Sequence, residues 1–209
     1  MTFAEFSIII FGGIMQKSGI KKHSEDRKMR LLIASDIHGD IESTKAIIAA
    51  FHAEECDKIL LLGDILYHGP RNNLPGRYVP KEVIELLNRY KDNILCVRGN
   101  CDTEVDQMVL EFPILADYAV LSLDGLTIYA THGHVYNEET PPPLAPGDIL
   151  LHGHTHVIRN EQFGNNNIYL NPGSITLPKE RCPRSYMIYE NRRFAVIDFD
   201  GSVVDVYNF

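Results

Sequence analysis

The stretch Arg30–His38, RLLIASDIH, joins the pattern of a buried strand to two side chains that can bind metal ions. Its first six residues form a nearly continuous apolar run, which is typical of a parallel strand buried on both faces. Asp36 and His38 follow at the point where this strand should end. Because they are two residues apart, they share a face if the backbone stays extended, and both can then reach one ion.

Four further segments place carboxylate, amide or imidazole groups after a predicted strand. They are Gly63-Asp64, Gly99-Asn100-Cys101-Asp102, His132-Gly133-His134 and Gly153-His154-Thr155-His156. Together with the first segment they supply more ligands than one four-coordinate ion can use. Imidazole and carboxylate suit Zn, Mn, Fe or Ni, and no thiolate cluster competes with them. The five segments in this order therefore predict a two-metal hydrolase site.

The pattern of strands and helices brings these segments to one place. Up to residue 110 we predict strands at 30–35, 58–63 and 93–98, alternating with helices at 41–52, 81–90 and 103–110. Strands then follow one another at 118–123, 126–130, 148–151, 167–170, 185–189, 194–197 and 203–207, the first two joined by an Asp124-Gly125 turn. This order predicts an α/β protein with two sheets packed face to face and helices outside. At the carboxyl ends of the strands, Asp64 is placed to bridge two ions and Asn100 adds a neutral oxygen.

Length and composition fit one large domain in a reducing compartment. The chain has 209 residues, 44% of them hydrophobic, and a net charge of −8 without a basic patch, which disfavours a long nucleic acid as partner. The four cysteines show neither a CxxC pair nor the density of a disulfide framework. No apolar run reaches the roughly 18 residues of a membrane helix. We therefore expect a cytoplasmic protein without a membrane anchor, and the sequence leaves a monomer and a homo-oligomer both open.

Residues 1–28 differ in pattern from residues 29–209, which carry every motif. Phe6–Met15 is apolar but too short to span a membrane, and it lacks the basic flank of a signal peptide. A polar, charged stretch follows before Met29. We interpret residues 1–28 as a dispensable extension, because the strand pattern needs nothing before Met29. The alternative is an extra helix or strand that packs on the domain or on a partner.

Taken together, the segments resemble the signature of the calcineurin-like metallophosphoesterases, from Met29 to the end of the chain. Within that superfamily the chain is similar to the YfcE-like group of small bacterial phosphodiesterases, through Ser35–Gly39, His68–Asn72, Arg98–Asp102, Thr131–His134 and Asn171–Ser174. The resemblance implies a four-layer αββα sandwich of two mixed sheets. It also implies that Asp36, His38 and His156 hold one ion, that Asn100, His132 and His154 hold the other, and that Asp64 bridges them. The implied metal is Mn²⁺, and Zn²⁺, Ni²⁺ and Fe also suit these donors.

One residue departs from the pattern of the superfamily. Most members carry a histidine after the asparagine of the third segment, as the acid that protonates the leaving group, and this chain has Cys101. A thiol with an ordinary pKa of about 8.5 can donate a proton, but less readily than imidazolium near neutrality. The alternative is a small residue tolerated in the loop. Asp102, which orients the histidine elsewhere, then becomes a candidate N-cap for the helix predicted from Thr103.

Five further side chains are candidates for roles beyond metal binding. His134 is a candidate for proton transfer, whereas His152 lies within a predicted strand and is expected to pack or hydrogen-bond there. His68, Arg71 and Asn72 follow the bridging aspartate on a loop that can reach over the ions, where an arginine can grip a phosphate bidentately. The alternative for this loop is a solvated turn rich in Gly, Pro and Asn.

The expected charge of the site favours a phosphodiester. Two divalent ions bring four positive charges, and two aspartates with a bridging hydroxide bring three negative ones, which leaves one positive charge for a monoanion attacked in line by the hydroxide. We therefore expect a hydrolase of a small phosphodiester. The alternative is a protein-binding scaffold like the retromer subunit that shares this fold, although drift to that role should have eroded the ligands. A phosphomonoesterase or phosphoprotein phosphatase is disfavoured by Cys101 and by the lack of a wide basic surface.

Overall fold

The structure is a computed structural model that describes residues 28–209. Its strands and helices follow in this order: β1 (Arg30–Ala34), α1 (Ile41–Ala53), β2 (Lys58–Leu61), α2 (Pro80–Asn88), a short 3₁₀ turn (Lys91–Asn93), β3 (Ile94–Cys96), α3 (Glu104–Gln107), β4 (Tyr118–Leu123), β5 (Leu126–Thr131), β6 (Ile149–Leu151), β7 (Ile158–Phe163), β8 (Asn167–Pro172), β9 (Ser185–Glu190), β10 (Arg193–Asp198) and β11 (Val203–Asn208). No helix within residues 28–209 is long and apolar enough to cross a membrane.

The strands form two mixed sheets. The first has the order β11-β10-β9-β1-β2-β3, in which β1, β2 and β3 are parallel and β9, β10 and β11 run antiparallel to their neighbours. The second has the order β4-β5-β6-β8-β7, with parallel β5, β6 and β8 between antiparallel edge strands. The predicted α/β class with two mixed sheets is confirmed.

Alternation along β1 and β2 builds the layers. Leu31 and Ile33 of β1 face the second sheet, in a core shared with Ile128 and Ile149 of β5 and β6. Leu32, on the other face, packs with the apolar sides of α1 and α2. Both faces of β1 are therefore dry, as its continuous apolar run predicts. On the outer side of the second sheet lies the segment between β5 and β6, where the Tyr129 hydroxyl donates to the Pro143 carbonyl at 3.3 Å.

Two elements differ from the sequence prediction. The helix predicted at 103–110 contains only Glu104–Gln107, since the side chain of Gln107 donates to the Leu110 and Phe112 carbonyls and turns the chain out of the helix. Strand β7 was not predicted, because its sequence RNEQ between Ile158 and Phe163 has no apolar alternation. It is an edge strand paired only with β8 among the described residues, so it needs little apolar surface.

The fold places the ends of β1, β2, β3, β5 and β6 along one edge of the sandwich. The first three of these strands are parallel neighbours in one sheet, and the last two are parallel neighbours in the other. Each is followed by one of the five polar segments. Loops from both sheets therefore meet at this edge, as expected for parallel strands whose carboxyl ends carry a site.

We predict that a chain beginning at Met29 folds as the full chain does and retains its activity. The interpretation of residues 1–28 as an extension falls outside the described residues except for Lys28. The start of β1 is anchored within the domain, since the Arg30 amide donates to Asp57 at 2.8 Å and its guanidinium pairs with Glu54 at 2.6 Å. Truncation removes the exposed Lys28–Asp124 pair at 3.9 Å, which contributes little. Thermal unfolding of both chains tests this, and a large loss of solubility or stability would contradict it.

Candidate metal centre

The backbone at the metal-ligand candidates is unusual. Asp36, His38, Asp64, His154 and His156 all have positive φ, between 50° and 64°. Non-glycine residues adopt this left-handed conformation rarely, and such strain collects at functional sites. The extended backbone that would put Asp36 and His38 on one face is therefore not present. Left-handed turns, and not strand-like alternation, direct both side chains to the same point.

The first group of candidate ligands consists of Asp36, His38 and His156, whose ligand atoms lie within 4.8 Å of one another. Nδ1 of His38 lies 2.8 Å from the Tyr67 carbonyl, and Nδ1 of His156 lies 2.6 Å from the Leu177 carbonyl. A carbonyl can only accept, so both Nδ1 atoms carry protons and both Nε2 atoms of the neutral rings hold bare lone pairs. These two Nε2 atoms face each other at 3.3 Å. Two lone pairs this close repel each other, and either a proton on one ring or a bound metal ion removes that repulsion.

The carboxylate of Asp36 completes this first group. Its Oδ1 atom is buried without a regular hydrogen bond to any described residue, and it lies 3.2 Å from Nε2 of His156 and 3.6 Å from Nε2 of His38. Its Oδ2 atom accepts from the backbone amide of His154 at 3.1 Å. Burial raises the pKa of Asp36, but the adjacent rings of His156 and His38 outweigh it and hold that pKa well below the ordinary value. The carboxylate is therefore charged.

The second group is formed by Asn100, His132 and His154. Nδ1 of His132 donates to the Leu62 carbonyl at 2.7 Å, so its Nε2 again presents a lone pair. This Nε2 lies 3.1 Å from Oδ1 of Asn100 and 3.1 Å from Nδ1 of His154. Burial, followed by the neighbouring His132, lowers the pKa of His154 to about 4. His154 is therefore neutral near pH 7, which is the form that binds a metal.

Asp64 lies between the two groups. Its Oδ2 atom is 3.7 Å from Nε2 of His38 in the first group, and its Oδ1 atom is 3.5 Å from Nε2 of His132 in the second. Oδ1 also accepts from the backbone amide of Cys101 at 2.8 Å. One carboxylate thus offers one oxygen to each side. The seven donors are oxygen and imidazole nitrogen, with lone pairs converging on two points, and they fit two divalent ions.

Small residues allow the loops to approach this closely. A Cβ atom at Gly153 would lie 1.8 Å from Oγ of Ser35 and 2.8 Å from Oδ2 of Asp36. One at Gly99 would lie 2.1 Å from Oδ1 of Asp64. The glycines of these two segments are therefore required by the backbone packing directly behind the ligands.

Asp102 supports the bridging residue and does not cap a helix. Its carboxylate accepts the backbone amides of Asp64 at 2.8 Å, of Ile65 at 2.9 Å and of Gly99 at 2.7 Å. Burial raises its pKa to about 6, with the charge of Asp64 adding to the rise and the backbone amides opposing it. The N-cap of α3 is Thr103, which forms a capping box with Asp106. The suggestion that Asp102 caps this helix is therefore wrong, because its oxygens are already used by the loop of Asp64.

The Cys101 thiol lies inside the centre. Its Sγ atom is within 4.8 Å of ligand atoms of both His38 and Asp64, and the residue is buried. Burial, followed by the charge of Asp64, raises the pKa of this thiol strongly. In the metal-free protein it is therefore an uncharged S–H group and a weaker acid than a free thiol. Nδ2 of Asn100 lies 3.2 Å from its sulfur.

The two other histidines near the centre occupy different positions. The ring of His134 lies 5.3 Å from that of His132 and 6.3 Å from that of His154. Burial, followed by His132, lowers the pKa of His134, so this ring is neutral. His152 is buried, stacks on Tyr169 at 4.3 Å and pairs through Nε2 with Glu138 at 2.8 Å. Its position matches the packed and hydrogen-bonded role expected for it.

The segment 171–174 braces the ligand loops from behind. Nδ2 of Asn171 donates to the Gly153 carbonyl at 2.9 Å and to Thr155 at 3.0 Å. Oγ of Ser174 donates to the Asp36 carbonyl at 3.0 Å. These bonds connect the loop of His154 and the loop of Asp36 to β8. They hold the backbone of ligands that come from different sheets.

A cavity of about 330 Å³ opens over the centre. Of the loop residues predicted to contact substrate, Arg71 and Asn72 line it, and Nδ2 of Asn72 also donates to the His68 carbonyl at 2.9 Å. His68 itself does not line the cavity, since its ring packs against Tyr67 and Tyr78. Its side chain therefore lies behind the loop that carries Arg71.

The cavity has a further lining residue that no sequence pattern indicates. Lys179 reaches the cavity from the turn after β8. A lysine in the stretch Pro178-Lys179-Glu180 looks like part of a solvated turn, and no local pattern distinguishes it. Lys179 is held at the site by a tertiary contact, the 3.0 Å hydrogen bond from its amide to the His156 carbonyl.

Comparison with known proteins identifies the family of this chain. A model of the calcineurin-like phosphoesterase superfamily domain matches residues 29–193. The phosphodiesterase YfcE of Escherichia coli K12 is 43% identical over 177 residues, which cover 84% of this chain and 96% of YfcE. The solved structure of that phosphoesterase from E. coli has a TM-score of 0.83 at 41% identity and covers 86% of this chain and 98% of its own.

A more distant likeness shows the fold alone. Vps29 of Chaetomium thermophilum has a TM-score of 0.55 at 16% identity and covers 86% of this chain and 95% of its own. The assignment of family rests instead on the matched domain model and on 43% identity over most of both chains. This chain belongs to the calcineurin-like phosphoesterase superfamily.

Proposed function

We propose that this protein is a two-metal phosphodiesterase that hydrolyses a small phosphodiester. The observation that carries the proposal is the set of facing lone pairs. His38 faces His156 at 3.3 Å, and His132 faces Asn100 at 3.1 Å. Asp64 stands between the two pairs. Uncharged acceptors this close repel one another unless a proton or a metal ion lies between them, and metal ions displace the protons as pH rises. Two such points next to a shared carboxylate favour two metal ions.

The residues would divide between the ions as the geometry groups them. Asp36, His38 and His156 would hold the first ion, and Asn100, His132 and His154 the second, with Asp64 shared. When bound, two divalent ions activate a water nucleophile and stabilise charge on the phosphoryl oxygens. We propose Mn²⁺ as the resident metal, with Zn²⁺, Ni²⁺ and Fe as the other metals suited to nitrogen and oxygen donors.

The chain's own residues favour a small diester as substrate. The cavity of about 330 Å³ is at the small end for a ligand pocket. Arg71, at its wall, can donate two hydrogen bonds to a non-bridging phosphate oxygen pair, and Asn72 can add one. A net charge of −8 disfavours long nucleic acids, whose phosphates need extended basic surfaces. The relative YfcE is named a phosphodiesterase, which supports the same class here.

The scaffold alternative has less support. The likeness to Vps29 concerns the fold alone. All seven candidate ligands are present, and five of them keep a strained left-handed backbone. A left-handed backbone that aims five side chains at one point is expected where those side chains bind a ligand. A protein-binding surface would not need it.

The first prediction concerns the number of metal ions. We expect two equivalents of Mn²⁺ in the purified, saturated protein, and one or none in the Asp64→Ala variant, because its side chain is the one shared between the groups. Activity on a nitrophenyl diester should fall by 100-fold or more, beyond the roughly 10–100-fold typical of residues outside the ligand shell. Elemental analysis and rate measurements check this. Asp92→Ala is the matched control and should change neither, because Asp92 is exposed in the 3₁₀ turn before β3, at the opposite end of that strand from Asn100.

Full activity with one equivalent of metal under saturating Mn²⁺ would contradict this division of ligands.

The second prediction concerns pH. Burial lowers the pKa of His38, but its interactions with Asp36 and the Tyr67 carbonyl raise the pKa by more than burial lowers it. The net shift is therefore upward from 6.5. Below that raised pKa the metal-free protein holds a proton that an ion must displace. Mn²⁺ affinity should therefore rise from pH 6 to pH 8, and the number of protons released on binding should fall. Calorimetry in two buffers of different ionisation enthalpy measures both.

His154, with a pKa of about 4, should contribute nothing to this dependence. Affinity that is constant from pH 6 to 8, without proton release, would show that the first group binds no ion.

The third prediction concerns Cys101. With a raised thiol pKa and no imidazole at this position, protonation of the leaving group should be weak. Nitrophenyl diesters should react far better than alkyl or nucleoside esters, since general acid catalysis worth about 10²–10⁴-fold would be partly absent. Cys101→Ala should affect good leaving groups little. Cys101→His should help poor leaving groups most, although Asp102 is occupied by backbone amides and can orient the new ring only in part.

The measurement is the slope of log rate against leaving-group pKa for the three proteins. A flat slope in the natural protein that becomes steep in Cys101→Ala would identify the thiol as an effective acid.

A further inference from the structure

Lys179 is fixed beside the metal centre by its backbone. Its amide donates to the His156 carbonyl at 3.0 Å, and two residues earlier the Leu177 carbonyl accepts from Nδ1 of His156 at 2.6 Å. The turn is closed by the Cys182 amide, which donates to the Lys179 carbonyl at 2.9 Å. The segment 177–179 therefore contacts His156 twice, once at the backbone carbonyl of His156 and once at its ring. The position of Lys179 relative to the centre is set by these bonds.

Lys179 lines the cavity, and within the part of the chain that the structure describes it has no anionic partner. Neither Lys179 nor Arg71, the other cation of the lining, forms an ion pair within 4.0 Å with a carboxylate of residues 28–209. The nearest carboxylate in sequence, Glu180, is instead bonded to Arg159 at 3.1 Å. Glu180 and Arg181 both have positive φ, 51° and 63°, so the chain turns sharply after Lys179.

The cavity therefore has more positive charge than a simple diester can neutralise. Among the described residues, Asp64 is the one carboxylate that lines it, and Asp64 belongs to the candidate metal centre. In the proposed function, the ions with their aspartates and a hydroxide leave one positive charge, which the monoanionic phosphodiester balances. Arg71 can share that phosphate from its loop. Lys179, exposed on a separate turn beside His156, then has no anionic partner in either the described residues or a simple diester.

We propose that Lys179 binds a second anionic group, a carboxylate or a phosphate, carried by one of the ester substituents of the substrate. The substrate class is then a small phosphodiester that carries two or more negative charges. This inference rests on the proposed phosphodiesterase function and adds a specificity-determining residue to it. A single charge-assisted hydrogen bond of this kind changes affinity by about tenfold or more.

The experiment uses the Mn²⁺-loaded full chain and nitrophenyl diesters that differ only in charge. Three share the nitrophenolate leaving group and carry an amide, a carboxylate or a phosphate at the end of an equal retained chain. Two further diesters place the extra group on the leaving group: one carries a carboxylate there, and its neutral counterpart carries the methyl ester of that carboxylate. The natural protein is compared with Lys179→Met, with Lys179→Arg, and with Arg181→Met, which removes an exposed cation of the same turn that does not line the cavity.

We expect kcat/KM for an anionic diester to exceed that for its neutral counterpart. The ratio of these two kcat/KM values should fall by about tenfold in Lys179→Met and in none of the other variants. Lys179→Arg should retain most of the ratio, and activity on neutral diesters should change little. Binding gives an independent readout: non-hydrolysable methylphosphonate monoesters with and without the carboxylate or phosphate, titrated by calorimetry, should show the same tenfold loss of discrimination.

An equal loss on neutral and anionic diesters would overturn the inference, because Lys179 would then act on the scissile phosphate or only hold the turn. An unchanged ratio in Lys179→Met would overturn it as well. In either case hydrolysis of the neutral diester leaves the phosphodiesterase function standing. Failure of the natural protein to hydrolyse any of the five diesters would instead overturn the proposed function, and this inference with it.

Discussion

Three hydrogen bonds from imidazole to backbone determine the chemistry of this molecule. His38, His132 and His156 each donate Nδ1–H to the carbonyl of a residue in another loop, Tyr67, Leu62 and Leu177. Each bond fixes a tautomer and turns the opposite nitrogen towards the centre, as the supporting contacts of metal ligands commonly do. The His132–Leu62 bond joins loops from the two sheets, so the orientation of this ligand and the closure of this edge of the sandwich are one feature. Loss of that contact would disturb both.

Such a site lowers the stability of the folded protein when no metal is bound. It buries the carboxylates of Asp36, Asp64 and Asp102 together with several imidazoles, and it keeps five non-glycine residues in the left-handed region. Burial of charge and backbone strain both oppose folding. The apolar layers on the two faces of β1 and the hydrogen bonds of Asn171 and Ser174 stabilise the arrangement from behind. Ions that bind only the folded chain would add stability by mass action.

The sequence predicts this fold, and it predicts which polar side chains the fold brings together, because both depend on patterns that are local. Continuous apolar runs such as RLLIA mark buried strands, and a polar segment after each run places its residues at the carboxyl edge. What the sequence misses depends on tertiary contacts. The left-handed backbone of Asp36 and His38 follows from bonds of their amides to Gly63 and Asp64 carbonyls, at 3.2 and 2.9 Å. The role of Asp102 depends likewise on three amides brought to it by folding.

The cavity and the outer surface of the protein differ in the charge they present. The chain carries eight net negative charges, whereas Arg71 and Lys179 line the cavity over the candidate metal centre without an ion pair to any carboxylate of residues 28–209. A long polyanion must place most of its phosphates against the acidic surface, where repulsion opposes it. A small anion enters the cavity whole and meets mainly the local positive field, whose strength is greater where low-dielectric walls exclude water. The distribution of charge therefore favours small anions over long polyanions as ligands of this cavity.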